Sequence, residues 1–576
     1  MNTPWRNWGL PRQGPHGGPP RTPGRRRAAG PLRRSLAAAS SAALAAALAV
    51  AVHPAASADT APLDPADPAT PVTVSADALP TVQIDGVVWQ QTIIGDTVYA
   101  VGKFDTARPA GAAAGTQTTE RKNILAYSLS TGQLVTGFTA SLNAQALAVA
   151  ASPDGSRIYV GGDFTEANGQ PASKVVALNP QTGATIAGWA PRMSSTVRAI
   201  VATSGTVYLG GLFSTVGSTS RSRLAAVRAS NGTLLPWKPI AAGGRVNALV
   251  LAPDGSKLVA GGLFTTLNGT NRPGFGLGAV DAVAGANITT PVNDVVRNAG
   301  TGSGITSLSS DGTNWYGTGF IDSKMNGTGT LEGSFAGNWS DLGVKWIDDC
   351  HGDSYSVFAS NTAVYKAGHS HYCGNLKGFP ETTPRTWHRG LAYSREATGT
   401  LTKDIHGYPS FTGKPAPSLL VWYPDLDTGT ATGQSQGPWS VTGNDSYVVM
   451  GGEFRNVNFK GQQGLVRFAV SALAPDKEGA RSSSASTNPA LTSPSPGVIT
   501  VKWQSNWDRD NATLSYRLSR DGRLISTQSL PTTFWNRPMM EFTDTVAPGT
   551  THSYRVVVTD PFGNSKYSTT VSLTAR

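Results

Sequence analysis

Val207-Tyr-Leu-Gly-Gly-Leu-Phe213 is the stretch on which the fold turns. Its apolar run ends in Gly-Gly-x-Phe, and the ending recurs. Ile158-Tyr-Val-Gly-Gly-Asp-Phe164, Leu258-Val-Ala-Gly-Gly-Leu-Phe264 and Val448-Val-Met-Gly-Gly-Glu-Phe454 match it closely. Val98-Tyr-Ala-Val-Gly-Lys-Phe104 and Trp315-Tyr-Gly-Thr-Gly-Phe320 are looser copies, and Val364-Tyr-Lys-Ala-Gly-His369 has a changed ending. That makes seven units with a period of roughly 50–60 residues, the length of a four-stranded propeller blade.

The turns agree. Pro153-Asp154-Gly155, Pro253-Asp254-Gly255, Asp311-Gly312 and Asn444-Asp445 supply a first hairpin per unit, where Gly takes the positive φ. Thr131-Gly132, Thr182-Gly183, Asn231-Gly232 and Thr428-Gly429 supply a second. Trp189, Trp237, Trp339 and Trp439 follow, large enough to fill the space between adjacent sheets. A β-helix needs a shorter period, and a sandwich does not repeat. The expectation is an all-β chain: a seven-bladed β-propeller over residues 81–474, then a second domain.

Composition permits this and excludes other classes. With 66 Gly, 38 Pro and 14% charged residues in 576, a coiled coil is out, and 39% hydrophobic residues argue against disorder. The net charge of +11 owes eight positives to arginines in residues 1–58, where there is no acid. Removing them leaves 39 basic against 36 acidic residues, a net of +3. So nearly neutral a remainder gives no argument for nucleic acid.

The arginines belong to an export signal over residues 1–58. An Arg-rich segment through Arg34 precedes an Ala/Leu/Val stretch from Leu36 to Val52, and Ala56-Ser57-Ala58 is an A-x-A cleavage pattern. Arg33-Arg34 also admits twin-arginine export beside the Sec route. The expectation is a secreted protein without a membrane span after cleavage. Residues 59–80, rich in Ala, Pro and Asp, are expected to be a disordered leader. The only cysteines, Cys350 and Cys373, are too few for a four-cysteine zinc site and in an oxidising compartment form one disulfide.

Residues 475–489 are polar and aperiodic, a linker. Beyond them Val498-Ile-Thr-Val-Lys-Trp503, Leu514-Ser-Tyr-Arg-Leu518 and His552-Ser-Tyr-Arg-Val-Val-Val558 alternate at strand period. The early Trp503 and late Tyr554 make residues 490–576 resemble a fibronectin type III sandwich, a spacer or adhesive module. Residues 85–470 in turn resemble the secreted actinobacterial β-propellers with delta-60 repeats. The resemblance rests on the Gly-Gly-x-Phe units, Asp349-Cys-His-Gly-Asp353 and Gly464-Leu-Val-Arg-Phe468. It implies fold and export, and no established activity. Bacterial fibronectin type III modules often accompany polysaccharide-degrading enzymes.

A propeller chain enters each blade beside the channel, runs from the top face down, and returns on the second strand. Cys350 then falls just before the sixth blade's first strand and Cys373 just after its second, so both should meet at the top. The same loops carry Asp348, Asp349, His351 and Asp353 on one side, His369 and His371 on the other. Four of the eight histidines fall between 351 and 388. His369 and His371 share one side of an extended strand. With Asp353 or Asp349 they could hold a divalent metal, serve as acid and base, bind a ligand, or simply tie down a braced loop. Residues 374–419 are expected to form one long top-face insertion. Its Trp387, His388, Arg389, Tyr393, Arg395, His406, Tyr408 and Phe411 suit stacking on sugar rings or contact with a protein.

Asp163 and Glu453, which share a slot with Leu212 and Leu263, are expected to be structural. No His-Glu-x-x-His helix or phosphate loop is present. The expectation is an extracellular binding or adhesion protein for a glycan or a cell-surface protein. The alternative is a polysaccharide-degrading glycosidase using Asp349, His351, Asp353, His369 and His371. Hydrolysis would need two carboxyls about 5–10 Å apart in an open cleft.

Overall fold

The computed structural model describes residues 62–322, 327–475 and 477–576. The expected signal peptide and the first leader residues lie outside these. Among the described residues, seven antiparallel sheets of three or four strands follow one another. Their first strands are Val87–Ile94, Ala146–Ala151, Val197–Ala202, Val246–Leu251, Ser303–Ser310, Ser354–Ala359 and Pro438–Gly443. Neighbouring first strands touch in order and the last touches the first, so the sheets close into a ring, a β-propeller. The top face is the end where first strands begin and second strands finish.

The repeated ending follows from that packing. A Cβ on the first Gly of the pair would lie 2.6 Å from Val197 at Gly161, 2.7 Å from Val246 at Gly210 and 2.6 Å from Ile305 at Gly261. Each is a side chain of the next sheet's first strand. At Gly451 the clash would be with Val88 of the first sheet, at 2.6 Å, across the closure of the ring. The Phe residues at 104, 164, 213, 264, 320 and 454 are buried. Second-strand aromatics meet a Trp that follows the third strand: Tyr159 with Trp189, Tyr208 with Trp237, Trp315 with Trp339, at 5.1–6.1 Å between rings.

Trp439 departs from that pattern. The sixth sheet's outer slot is filled by Trp422, 5.1 Å from Tyr365, whereas Trp439 lies in the seventh sheet's first strand. Residues 395–418, inserted between the third strand of the sixth sheet and Leu419, which bridges back to Tyr393, displaced the expected spacing. Thr428-Gly429 likewise is no second hairpin; it belongs to the loop leading to that first strand, where Gly429 N–H donates to Gln436 O.

The ring is locked by chain that the sequence reading treated as leader. Ser75 N–H donates to Ala469 O and Leu79 N–H to Arg467 O, so residues 75–79 lie along the outer edge of the seventh sheet. Val74, Ser75 and Ala76 are buried, which corrects the expectation of disorder across 59–80. Satisfying the last sheet's free edge is the physical gain.

Residues 490–576 form two antiparallel sheets around Val501, Trp503, Leu514, Tyr516, Tyr554 and Val556. This sandwich is docked rather than tethered. Arg509, 2% exposed, pairs with Asp425 of the propeller at 2.5 Å and with Glu478 of the supposed linker. Asp510 accepts from Ser75 Oγ and Ala76 N–H. Phe534 stacks on His388 at 4.4 Å and meets Phe379 and Tyr423. In the linker range, Arg481 N–H donates to Trp507 O and Ser482 N–H to Asn506 Oδ1. Most of residues 477–489 are therefore fixed against the sandwich.

Candidate functional site

The sixth sheet, Ser354–Ala359, Ala363–Ser370 and His388–Ser394, carries the expected concentration of polar groups. Cys350 and Cys373 are bonded at the top, with Cα atoms 4.3 Å apart. His351 N–H to Tyr372 O and His371 N–H to His351 O extend the ladder beyond the strands. The loops therefore leave the sheet in register, and their side chains divide into an inward and an outward group.

The inward group is a polar knot. Asp348 accepts from Lys366 Nζ at 2.8 Å, Ser334 Oγ at 2.6 Å and Cys350 N–H at 3.0 Å, all buried. His351 Nε2 stands 3.0 Å from Asp404 Oδ2, and its ring lies 3.9 Å from that of Tyr408. Asn375 Nδ2 donates to Asp349 Oδ2 at 2.7 Å. Burial pushes His351 down to about 4. Burial, opposed by the Asn375 bond and helped by the Asp348 charge, pushes Asp349 up to about 7. Asp349 is 3% exposed and His351 1%, so neither reaches substrate. This removes Asp349 and His351 from the catalytic set. They brace the loop.

The outward group begins at His369. Its Nδ1 lies 3.0 Å from Tyr355 Oη and 2.8 Å from Gln436 Oε1. Trp387 meets both His369 and His371 edge-on, at 5.0 and 5.2 Å, so the shared side of the strand is real. Burial lowers His369 to about 4, against a Gln436 hydrogen bond that raises it. The metal set of His369, His371 and Asp353 does not converge. His371 Nδ1 faces Glu381 at 3.6 Å, while His369 Nε2 is 3.9 Å from Asp353. Among the described residues no three His, Cys, Asp or Glu side chains group as metal ligands.

A pocket of about 190 Å³ is lined by His369, Trp387, Arg389, Ser435 and Gln436. Two expected binding residues, Trp387 and Arg389, thus share it. His388 points away, under Phe534 of the sandwich. Tyr393 is a correction. It is fully buried near the bottom end of its strand, beside Lys366, because His388–Ser394 is a strand that splits the expected insertion in two. Arg395 is likewise at the bottom, paired with Asp311 of the fifth sheet's hairpin. The second half, residues 395–418, still climbs to the top, where His406 meets Tyr372. Glu453 is structural as expected, and it positions the pocket by accepting from Thr432 and Gln436 N–H.

Residues that sequence reasoning missed surround the channel mouth. All seven first strands bulge near their start, leaving Trp89, Leu147, Arg198, Asn247, Thr306, Tyr355 and Trp439 as the extra residues. A bulge re-aims the side chain it inserts. Tyr355 and Trp439 lie 4.2 Å apart and Trp439 and Trp89 5.1 Å. With the His369–Tyr355 contact of 5.7 Å, five rings run unbroken from Trp387 at the rim through His369, Tyr355 and Trp439 to Trp89 at the axis. The alignment of Gly-Gly-x-Phe units contained this signal, at a position that varies in every copy.

Acids flank the path. Gly352 N–H donates to Glu332 Oε2 at 3.3 Å. Burial first and the Asp353 charge second push Glu332 up to about 8, and burial with Asp322 pushes Asp353 up to about 7.

The comparisons with known proteins bear on fold. A family described as a domain of unknown function (DUF5122) beta-propeller matches residues 153–183, the second sheet's hairpin and third strand. No curated protein sequence matches the chain. Solved structures similar to it include a chain of the mitotic checkpoint complex (12% identity, 72% of this chain and 95% of that one, TM-score 0.39). The Niastella koreensis GH74 enzyme is similar at 9% identity, over 86% of this chain and 74% of its own, with TM-score 0.35. The WD40 domain of Toxoplasma gondii coronin is similar at 10%, over 69% and 86%, with TM-score 0.33. Likenesses this distant say nothing of activity.

Proposed function

We propose that this chain is an exported seven-bladed propeller with a fibronectin type III-like module, and that it binds an extracellular glycan on its top face. The exposed ring of Trp387, beside the pocket it lines with His369, Arg389, Ser435 and Gln436, carries the reading. Sugar rings present C–H faces that stack on an exposed aromatic face. Arg389 and Gln436 supply donors beside the path. Trp387, 39% exposed, is the residue a glycan reaches first.

A glycan-array screen of the purified protein tests this, followed by titration of the best ligand. Trp387→Ala is expected to weaken binding about tenfold, the loss of about 1.4 kcal/mol, and His369→Ala to weaken it less. No ligand on the array, or binding indifferent to both changes, overturns the assignment. The hydrolase alternative keeps Asp353, His369 and His371 of its expected set, and Glu332 joins Asp353, both acids pushed up toward neutral pH by burial as a general acid would be. It predicts release of reducing ends from the bound glycan that Glu332→Gln abolishes.

A further inference from the structure

Lys366 puts an ammonium group where the other sheets place core. It stands opposite Val357 on the first strand of the sixth sheet and Leu391 on the third. The same place in the other second strands, counted from the bulge, holds Ala100, Val160, Leu209, Ala260, Gly317 or Met450. Val357, Leu391, Tyr393 and Cys350 belong to one buried apolar cluster, and Lys366 Nζ lies 5.2 Å from the centre of the Tyr393 ring. Lys366 is 1% exposed.

Its partner is Asp348, fully buried, which directly follows the fourth strand of the fifth sheet, Val344–Ile347. Lys366 Nζ donates to Asp348 Oδ2 at 2.8 Å. The carboxyl is fixed from two further sides. Ser334 Oγ donates to Oδ2 at 2.6 Å, and Cys350 N–H donates to Oδ1 at 3.0 Å. The neighbouring Asp349 is held elsewhere, its Oδ2 accepting from Asn375 Nδ2 at 2.7 Å.

Taking two charges out of water costs about as much as their attraction returns, so an ion pair in an apolar slot is poorly explained by stability alone. Burial lowers the pKa of the Lys366 ammonium, against the raising pull of Asp348. The same burial favours any step that removes both charges together. An amine and a carboxyl fixed in contact also react as an intramolecular pair, with effective molarities that reach about 10⁵–10⁸ M.

We propose that Lys366 and Asp348 condense into an amide, a self-made cross-link that joins the fifth and sixth sheets beside the disulfide. One Nζ proton passes to Oδ2, leaving a neutral amine and a carboxylic acid. Nζ then attacks Cγ while Cys350 N–H stabilises the charge that develops on Oδ1. The Nζ–Cγ bond forms, the Cγ–Oδ2 bond breaks, and Oδ2 departs as water with a second Nζ proton. The third proton stays on the amide nitrogen, and nothing is oxidised or reduced. Both buried charges disappear with the water.

Tryptic mapping of the purified full-length chain, reduced and alkylated, tests this. Trypsin cuts after a lysine only while its amine is free and charged. Asp348 and Lys366 both lie between the cleavage points after Lys345 and Lys377. The linked protein is expected to give one fragment, residues 346–377, lighter than its sequence by one water. The unlinked protein gives residues 346–366 and 367–377 separately. Chymotryptic cleavage after Tyr355 and Phe358 should leave the pieces that carry Asp348 and Lys366 joined. Lys366→Met, which copies Met450 of the seventh sheet, and Asp348→Ala should each abolish the linkage. Two free fragments from the parent, or a minor linked fraction that does not grow when the folded protein is incubated, overturns the proposal. So does a water loss whose pieces separate under chymotrypsin, the mark of a cyclised aspartate, and so does a linkage that survives Asp348→Ala. The parent chain alone decides the matter if either variant fails to fold.

Discussion

Asp353 lies near two other acids, Asp322 and Glu332, on a surface that water reaches only in part. Burial dominates, and the neighbouring charge adds to it, so Asp353 and Glu332 hold protons to about 7 and about 8. The sign follows from linkage. A carboxyl whose folded value exceeds its unfolded one, near 4, binds more protons when folded, so stability falls as pH rises through 7 and 8. The buried histidines act at the other end. His351, His369 and His388, lowered mainly by burial to about 4, withdraw stability as pH falls below about 6.5. Glu332→Gln combined with Asp353→Asn is therefore expected to stabilise the protein by about 1–2 kcal/mol at pH 9. It should bring no gain at pH 3, below the unfolded value, where the acids are neutral folded and unfolded alike. Thermal melts at the two pH values decide it, and an equal shift at both would show that the acids are not held protonated.

Among elements, the loop of residues 374–387 is where the site is made. The disulfide holds one end, Glu381 with Arg385 ties its middle, and Phe379 is pressed under Phe534. Replacing both cysteines by serine removes a cross-link between positions 23 apart and is expected to cost about 3 kcal/mol, read by denaturant titration without reductant. A cost near zero would mean that the sandwich alone fixes the loop. The disulfide and the stacked face of His369 and His371 were legible in the sequence because both follow from strand direction and strand period. The bulged positions were not. A repeat is recognised by what recurs, and here backbone register recurs while the residue changes from Trp89 to Arg198 to Thr306. Trp439 was misplaced for a related reason: spacing between motifs holds only until an insertion, such as residues 395–418, pushes the matching Trp422 along the chain. Tyr393 was misplaced because a strand inside a long polar stretch carries too few alternations to stand out.

At the scale of the molecule, the ring and the sandwich share buried charge and apolar contact, which makes the second domain part of the first one's top face. The polar composition of residues 475–489 suggested separation, yet what matters is what those residues meet. Glu478 meets Arg509, Arg481 and Lys460, and Arg509 also holds Asp425. Tyr423 N–H donates to Arg509 O, so backbone as well as side chain crosses the boundary. Removing residues 477–576 uncovers Phe379, His388 and Tyr423 together and strips the Asp510 acceptor from the chain that closes the ring. The full chain is expected to unfold in one calorimetric transition, and the truncated propeller to melt several degrees lower and bind a hydrophobic dye. Arg509→Ala, which strands Asp425 and Glu478, is expected to cost roughly 3 kcal/mol without splitting the transition. Two separate transitions in the full chain, or a truncated ring as stable as the parent, would make the sandwich a spacer after all, and the positioning of Trp387 would then belong to the disulfide alone.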